Sequence, residues 1–336
     1  MKKIKVVQIG TAHDHAKFVM DSIKKQSDVF ELVGYVNPEP NSICFNMFKD
    51  TYSDVKELTL EEALSYSGLD AVIIESDEHS LMKYAAMAIE KGLHVHIDKP
   101  GGEDIDEFAT VANSAKNKNL VFSMGYMYRF NPAVKKLFKM VEKGELGQIM
   151  SVEAQMNCHQ SIEKRNWFEN FAGGNMFFLG CHLIDIIYRL QGEPEEITAY
   201  NTSSNTDGVT AKDECMAVLK YKNGCSFVKV YANECGGFLR RQLVVSGTKG
   251  TAEIKPIERY VPGSSEIMTD MRVVFTQDED KDGWNAYGKD IAFGPFDRYD
   301  DMMKIFALTV SGECENNFDY DYEIRLHSLL DKICKS

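Results

Sequence analysis

A rhythm in the first third of the chain narrows its folding options most. Short apolar runs recur at Ile4–Ile9, Phe30–Val36, Ala71–Ile74, His94–Ile97 and 120–124. Stretches with helical spacing lie between them at Ala16–Lys25, 60–65 and 81–91, and Gly92 supplies a stop for the last of these. Runs this short and continuous suit strands buried on both faces, as in a parallel sheet covered by helices. Alternation at this spacing predicts βαβ units. Such sheets take their ligands beyond the carboxyl ends of the strands. Three polar stretches fall at those ends, at residues 10–15, 75–79 and 98–102.

The rhythm changes near residues 124–126. A strong helical pattern over 131–143 leads to the stop Gly144-Glu145-Leu146-Gly147 and a strand over 148–156. Gly173 and Gly174 precede a helix carrying Cys181, His182 and Asp185. Strands are then expected at 195–200, Glu214–Tyr221, 225–233, 241–246 and 251–254, with hairpin signals at 222–224 and 248–250. Helical segments around 299–309 and 321–335 follow. The fold class expected is an α/β Rossmann-like N-terminal domain over residues 1–124, then an α+β second domain over 125–336. That second domain holds a mostly antiparallel sheet and includes the C-terminal helices.

A chain of 336 residues can bury two cores. With 51 acidic against 38 basic residues the formal net charge is −13, which argues against nucleic acid as a partner. No run resembles a membrane span and the N-terminus carries no apolar leader, so a cytoplasmic location without membrane contact is expected. The eight cysteines form no close ligand pairs, which favours reduced thiols over a disulfide scaffold or structural zinc.

Several residues can carry chemistry. In Asp98-Lys99-Pro100-Gly101 a lysine follows a buried strand, and proline fixes the turn that aims it. Its ammonium can hold a substrate oxygen or stabilise an alkoxide; the plainer reading is a surface lysine in a capping turn. His182 can donate to a hydroxyl or take its proton, and Phe178, four residues earlier, shares its helical face. The plainer reading pairs His182 with Asp185. His13 and His15 flank Asp14 in the first strand-end loop, but spacing reveals no further ligand, so no metal is expected. Tyr126, Arg129 and Asn131 form a polar group at the domain junction, and Asn166 and Trp167 can line a sugar face.

Taken together these landmarks resemble the Gfo/Idh/MocA oxidoreductase family, which includes glucose–fructose oxidoreductase and inositol dehydrogenase. Asp98-Lys99-Pro100 resembles its Glu-Lys-Pro signature, and Tyr128-Arg129-Phe130-Asn131-Pro132 its entry into the second domain. Gly147 with residues 148–152, Gly173-Gly174 and Gly180-Cys181-His182-Leu183-Ile184-Asp185 match further signatures, so the resemblance covers nearly the whole chain. It implies hydride transfer between NAD or NADP and a sugar-like, inositol-like or related polyol or keto substrate. Lys99 and His182 match the family's catalytic pair. The resemblance further implies a homodimer or homotetramer.

Cofactor contacts are expected from Gly10, Thr11, Ala12, His13 and His15, from Asn37, and from Ser76, Glu78, His79, Asp98, Lys99 and Pro100. Substrate contacts are expected from Lys99, Tyr126, Arg129, Asn166, Trp167, Phe178 and His182. Two departures stand out. Phe178 occupies a position where many members carry aspartate, and Ala12 and His15 replace two glycines of the phosphate-binding turn. Asn37 stands where an acidic ribose ligand is common; with no persuasive arginine clamp nearby, NAD is preferred and NADP is possible. The departures keep two alternatives open: a non-catalytic sensor or structural homologue, and a redox-neutral lyase, epimerase or glycosidase that retains NAD.

Overall fold

In the computed structural model, residues 3–264, 266–279 and 284–336 are described. Five strands, β1 (Ile4–Ile9), β2 (Phe30–Val36), β3 (Ala71–Ile74), β4 (His94–Ile97) and β5 (Phe122–Met124), form a parallel sheet in the order β2-β1-β3-β4-β5. All of β3 is buried, as expected for a strand covered on both faces. Its helices are α1 (Ala16–Lys25), α2 (Ile43–Phe48), α3 (Leu60–Leu64), α4 (Leu81–Glu90) and α5 (Ile105–Asn117). The sequence reading does not anticipate α2 or α5. Asp104 caps α5 by accepting from the backbone N–H groups of Asp106 and Glu107.

Register positions the strand ends. Ile9 lies opposite Ile74, Ile74 opposite Ile97, and Ile97 opposite Met124. Residues 10, 75, 98 and 125 therefore leave the sheet at one level. The order reverses between β1 and β3, the point at which an open α/β sheet forms its ligand crevice.

The second compact unit contains α6 (Pro132–Glu142), α7 (Ile162–Trp167) and α8 (Cys181–Gln191). Its strands are β6 (Ile149–Gln155), β7 (Glu196–Thr202), β8 (Glu214–Tyr221), β9 (Gly224–Tyr231), β10 (Gln242–Gly247), β11 (Gly250–Ile254), β12 (Arg259–Tyr260), β13 (Ile267–Met268), β14 (Met271–Phe275) and β15 (Lys289–Ile291). Eight of these make one sheet in the order β15-β14-β11-β10-β6-β9-β8-β7. Every pair in it is antiparallel except β6 with β9. Both anticipated hairpins form, β8 with β9 and β10 with β11. Helix α8 packs against β6 and β9, which buries its Cys181-to-Tyr188 stretch.

The division expected at residues 124 and 125 differs from the compact units observed. The first unit runs through Met127 and also takes Tyr299–Ser328; the second holds Tyr128–Arg298 and Leu329–Ser336. The reason is packing by α9 (Asp300–Val310) and the first part of α10 (Tyr320–Lys335). Ser22 donates to the Asp300 carboxylate at 2.8 Å, and Gln26 donates to the Asp300 carbonyl at 3.0 Å. Phe306 packs its ring 5.4 Å from His96 on β4, and His327 stacks on Phe108 of α5 at 4.3 Å.

Phe306 is 2 % exposed, so Phe306→Ala should destabilise the first unit by about 3–5 kcal/mol in urea unfolding. A change within error would show that α9 is not part of this core.

Candidate functional site

The turn after β1 rests on glycine. Gly10 has φ +96°, and a Cβ there would stand 2.2 Å from the Ser76 nitrogen. No side chain fits that approach. The turn is clasped to β3: the Glu75 N–H donates to the Ile9 carbonyl at 2.8 Å, and the His13 N–H donates to the Glu75 carbonyl at 3.1 Å. Thr11 donates its hydroxyl to Asn37 Oδ1 at 2.8 Å, tying the turn to the end of β2. This backbone cradle, at the switch point and at the start of α1, fits a dinucleotide's phosphates.

The two histidines of the turn point to Asp98. His13 Nδ1 lies 2.9 Å and His15 Nδ1 3.0 Å from Asp98 Oδ2. The Lys99 N–H donates to Asp98 Oδ1 at 2.6 Å. The third partner that spacing could not reveal is thus a carboxylate from the neighbouring strand end. On its other side His13 Nε2 faces Glu78 Oε1 at 3.5 Å. Burial acts to raise the Asp98 carboxyl, but His13 and His15 outweigh it and hold it well below the usual range. Burial lowers the His15 imidazole to about 4, against the pull of Asp98.

Glu75 was not singled out by sequence reasoning. It is fully buried, and burial together with the Asp98 charge pushes its carboxyl well above the ordinary value. Glu39 was missed as well. Burial and the neighbouring Asp77 push it up to about 7. The acidic run Glu75-Ser76-Asp77-Glu78 was the available signal, since a strand end rarely buries so many carboxyls without a reason.

Other expected residues divide. Asp98, Lys99 and Pro100 follow β4, and Lys99 is 1 % exposed. Ser76 lies against the Gly10 turn. His79 is more than half exposed and faces Glu103 at 4.0 Å, away from the histidine pair's carboxylate. Tyr126 is buried in the first unit.

In the second unit, His182 lies in the first turn of α8, behind a π-helical turn over Met176–Gly180. Such turns recur at functional sites. The His182 ring meets Tyr128 edge-on at 5.0 Å. Tyr128 donates its hydroxyl to Glu258, whose carboxylate also takes Arg241 and Arg298, each at 2.8 Å. Burial acts to raise Glu258, and the two arginines outweigh it and lower it. Arg129 is held bidentately by Asp185 at 2.8 and 2.9 Å, with both side chains 2 % exposed. It is thus engaged in a buried ion pair. Asn131 caps α6, accepting from the Ala133 and Val134 N–H groups.

Phe178 belongs to an aromatic group. Its ring meets Trp167 edge-on at 5.0 Å, and the Lys164 ammonium sits 3.6 Å from the Trp167 ring and 4.3 Å from the Phe178 ring. The result is an aromatic wall carrying a cation. Asn166 is exposed.

The comparisons with known proteins accord with this geometry. Residues 4–126 match the profile described as an oxidoreductase family NAD-binding Rossmann fold, and residues 134–253 match the GFO/IDH/MocA C-terminal domain. D-xylose 1-dehydrogenase (NADP(+)) 2 of Haloferax volcanii is 26% identical over 49% of this chain and 51% of its own length. Glucose-6-phosphate 3-dehydrogenase of Bacillus subtilis is 24% identical over 70% of this chain and 68% of its own. The solved UDP-N-acetylglucosamine 3-dehydrogenase of Acidithiobacillus ferrooxidans shares the fold, with TM-score 0.76 at 16% identity, covering 99% of this chain and 97% of that one. The chain spans roughly half to two thirds of the length of the curated relatives it matches. No helix among the described residues is long and apolar enough to cross a membrane.

Gly10→Ala should collapse dinucleotide binding in calorimetry and lower the melting temperature, because the new methyl meets backbone rather than a movable side chain. Wild-type affinity in this variant would remove the cradle. Glu39 adds a pH dependence. Its folded pKa, about 7, lies above the ordinary glutamate value of 4.5, so its contribution to stability is full below 4.5 and is lost as pH rises through 7. Glu39→Gln should flatten the melting-temperature curve in that window, and an unchanged slope would reject the assignment.

Proposed function

The chain belongs to the GFO/IDH/MocA oxidoreductase family, and from that membership we propose that it is a nicotinamide-dependent oxidoreductase acting on a sugar-like, inositol-like or related polyol or keto substrate. The observation that carries the reading is the Gly10 turn, pressed against β3 at the switch point of a parallel sheet. The names of the dehydrogenase relatives, for D-xylose and glucose 6-phosphate, support the substrate class.

A bound nicotinamide supplies the hydride acceptor or donor. The Thr11 and Ala12 backbone N–H groups, in the turn ahead of α1, would hold its phosphates, with Asn37 beside the adenosine ribose. The work left to the side chains is on the reacting oxygen. Lys99 is proposed to hold that oxygen and offset charge developing on it. His182 is proposed to take the hydroxyl proton during oxidation and return it during reduction. Trp167, Phe178 and Lys164 are proposed to shape the substrate wall in the second unit. NAD is the preferred cofactor, because the Glu39 and Asp77 carboxyls after β2 and β3 would repel an added 2′-phosphate. A homodimer or homotetramer is proposed from family membership.

A redox-neutral reading has one observation in its favour. Phe178, packed edge-on against Trp167, stands where many members of the family carry aspartate, so the proton traffic of a polyol dehydrogenase would have to run without that carboxylate.

Turnover is tested by a library of sugars, polyols and ketoses with NAD and with NADP, read by cofactor absorbance and product mass spectrometry. Lys99→Ala and His182→Ala should each lower kcat by about 100-fold or more while leaving the fold intact by circular dichroism. Full activity in both would sink the assignment. Product formed without net NADH would favour the redox-neutral reading, and equal affinity for NAD and NADP would remove the cofactor preference.

A further inference from the structure

The His13, His15 and Asp98 group does something that a phosphate-binding turn does not require. Two imidazoles from one loop present the same atom, Nδ1, to a single carboxylate oxygen of the neighbouring strand end, at 2.9 and 3.0 Å. One donor atom from each residue lies within 4.8 Å of the others. The His13 side chain is 0 % exposed and that of Asp98 2 %. Placed about 2.1 Å from each donor, a metal ion would see a 2.9–3.0 Å separation under roughly 90°. That is the angle between adjacent ligands in an octahedral site. Two histidines and one carboxylate suit a divalent transition ion and leave positions open.

One further observation points the same way. Behind His13, its other ring nitrogen faces the Glu78 carboxylate at 3.5 Å. Metal-bound histidines characteristically give their second N–H to a carboxylate, which fixes the tautomer and the ring.

We propose that His13, His15 and Asp98 bind one divalent first-row transition-metal ion at the carboxyl edge of the parallel sheet, with Glu78 orienting the His13 ring. The imidazole donors select against Mg²⁺. The proposal does not rest on the oxidoreductase reading, since binding is measured without cofactor, substrate or turnover.

The test uses the full chain, stripped with a chelator and dialysed, then titrated with Co²⁺ alone. The expected result is one equivalent bound with visible d–d absorption, displaced by Zn²⁺ and unaffected by excess Mg²⁺. His13→Gln and His15→Gln should each weaken Co²⁺ binding by at least about 10-fold, and Glu78→Gln by about 10-fold through the ring it orients. His79→Gln, an exposed histidine outside the group, should bind as the parent does. If His13→Gln fails to fold by circular dichroism, His15→Gln and Glu78→Gln carry the test. No saturable binding of Co²⁺, Zn²⁺ or anaerobic Fe²⁺, or unchanged affinity in folded His15→Gln and Glu78→Gln, overturns the proposal and leaves the cluster held by protons alone. A chain that binds metal yet turns over no substrate would defeat only the oxidoreductase reading.

Discussion

The close passage of the Gly10 backbone across the end of β3 is the contact on which the first unit's chemistry depends. Parallel strands in matching register end at one level, so the residues after them emerge side by side. With Gly10 pressed on Ser76, the loop carrying His13 and His15 has one place to go, over the ends of β3 and β4. Asp98 and Glu75 are waiting there as the first residues beyond those strands. The polar group is therefore a product of sheet register, with loop sequence supplying only the donor types.

Buried charge is handled differently in the two units. In the second, each buried carboxylate meets a guanidinium: Asp185 meets Arg129, Glu258 meets Arg241 and Arg298, and Asp213 meets Arg165. Forked geometry satisfies several lone pairs at once, the condition under which a buried pair holds without a large penalty. Removing one partner would strand the other at a cost of about 3–5 kcal/mol. The first unit puts imidazoles, not arginines, beside Asp98, and sets the Glu75 carboxyl against that same carboxylate. Imidazole can be a proton donor, a proton acceptor or a metal donor, so this cluster keeps options that the arginine pairs close.

Much of the fold was legible because local signals and tertiary roles agree. The strands of the first unit read as apolar runs because both faces are covered, and Asn131-Pro132 reads as a helix start because it is one. What escaped depends on partners far away in sequence. Nothing in residues 299–328 announces that Asp300 will meet Ser22 and Gln26, or that Phe306 will meet His96. The parallel pairing of β6 with β9 is likewise invisible, since each strand's alternation fits either direction. At the candidate site, Lys99, Asp98 and His13 were legible as strand-end polar residues. Arg129 was misread as available, because pairing with Asp185 spans 56 positions. Glu75 was not picked out of the 75–79 stretch because an acidic residue after a strand normally faces solvent.

The altered glycine turn separates two jobs usually done by one residue type. The first glycine lets backbone approach backbone, and that job is untouched here, since Gly10 has no room for a methyl. The last glycine of such a turn provides a small surface where helix packs on strand. His15 stands at that point as the residue before α1, and its ring finds space by turning toward Asp98 and the Tyr299 ring, 5.5 Å away. Tyr299 in turn stacks on Phe18 of α1 at 5.8 Å. A position that elsewhere needs an absence of side chain is thus filled by one with a prepared niche, built by the returning C-terminal segment. The substitution is compatible with the fold because three distant pieces, the β1 turn, the end of β4 and the start of α9, together make room for an imidazole. That shared dependence makes the histidine a built feature of this chain, and a glycine restored there would leave Asp98 short of a partner.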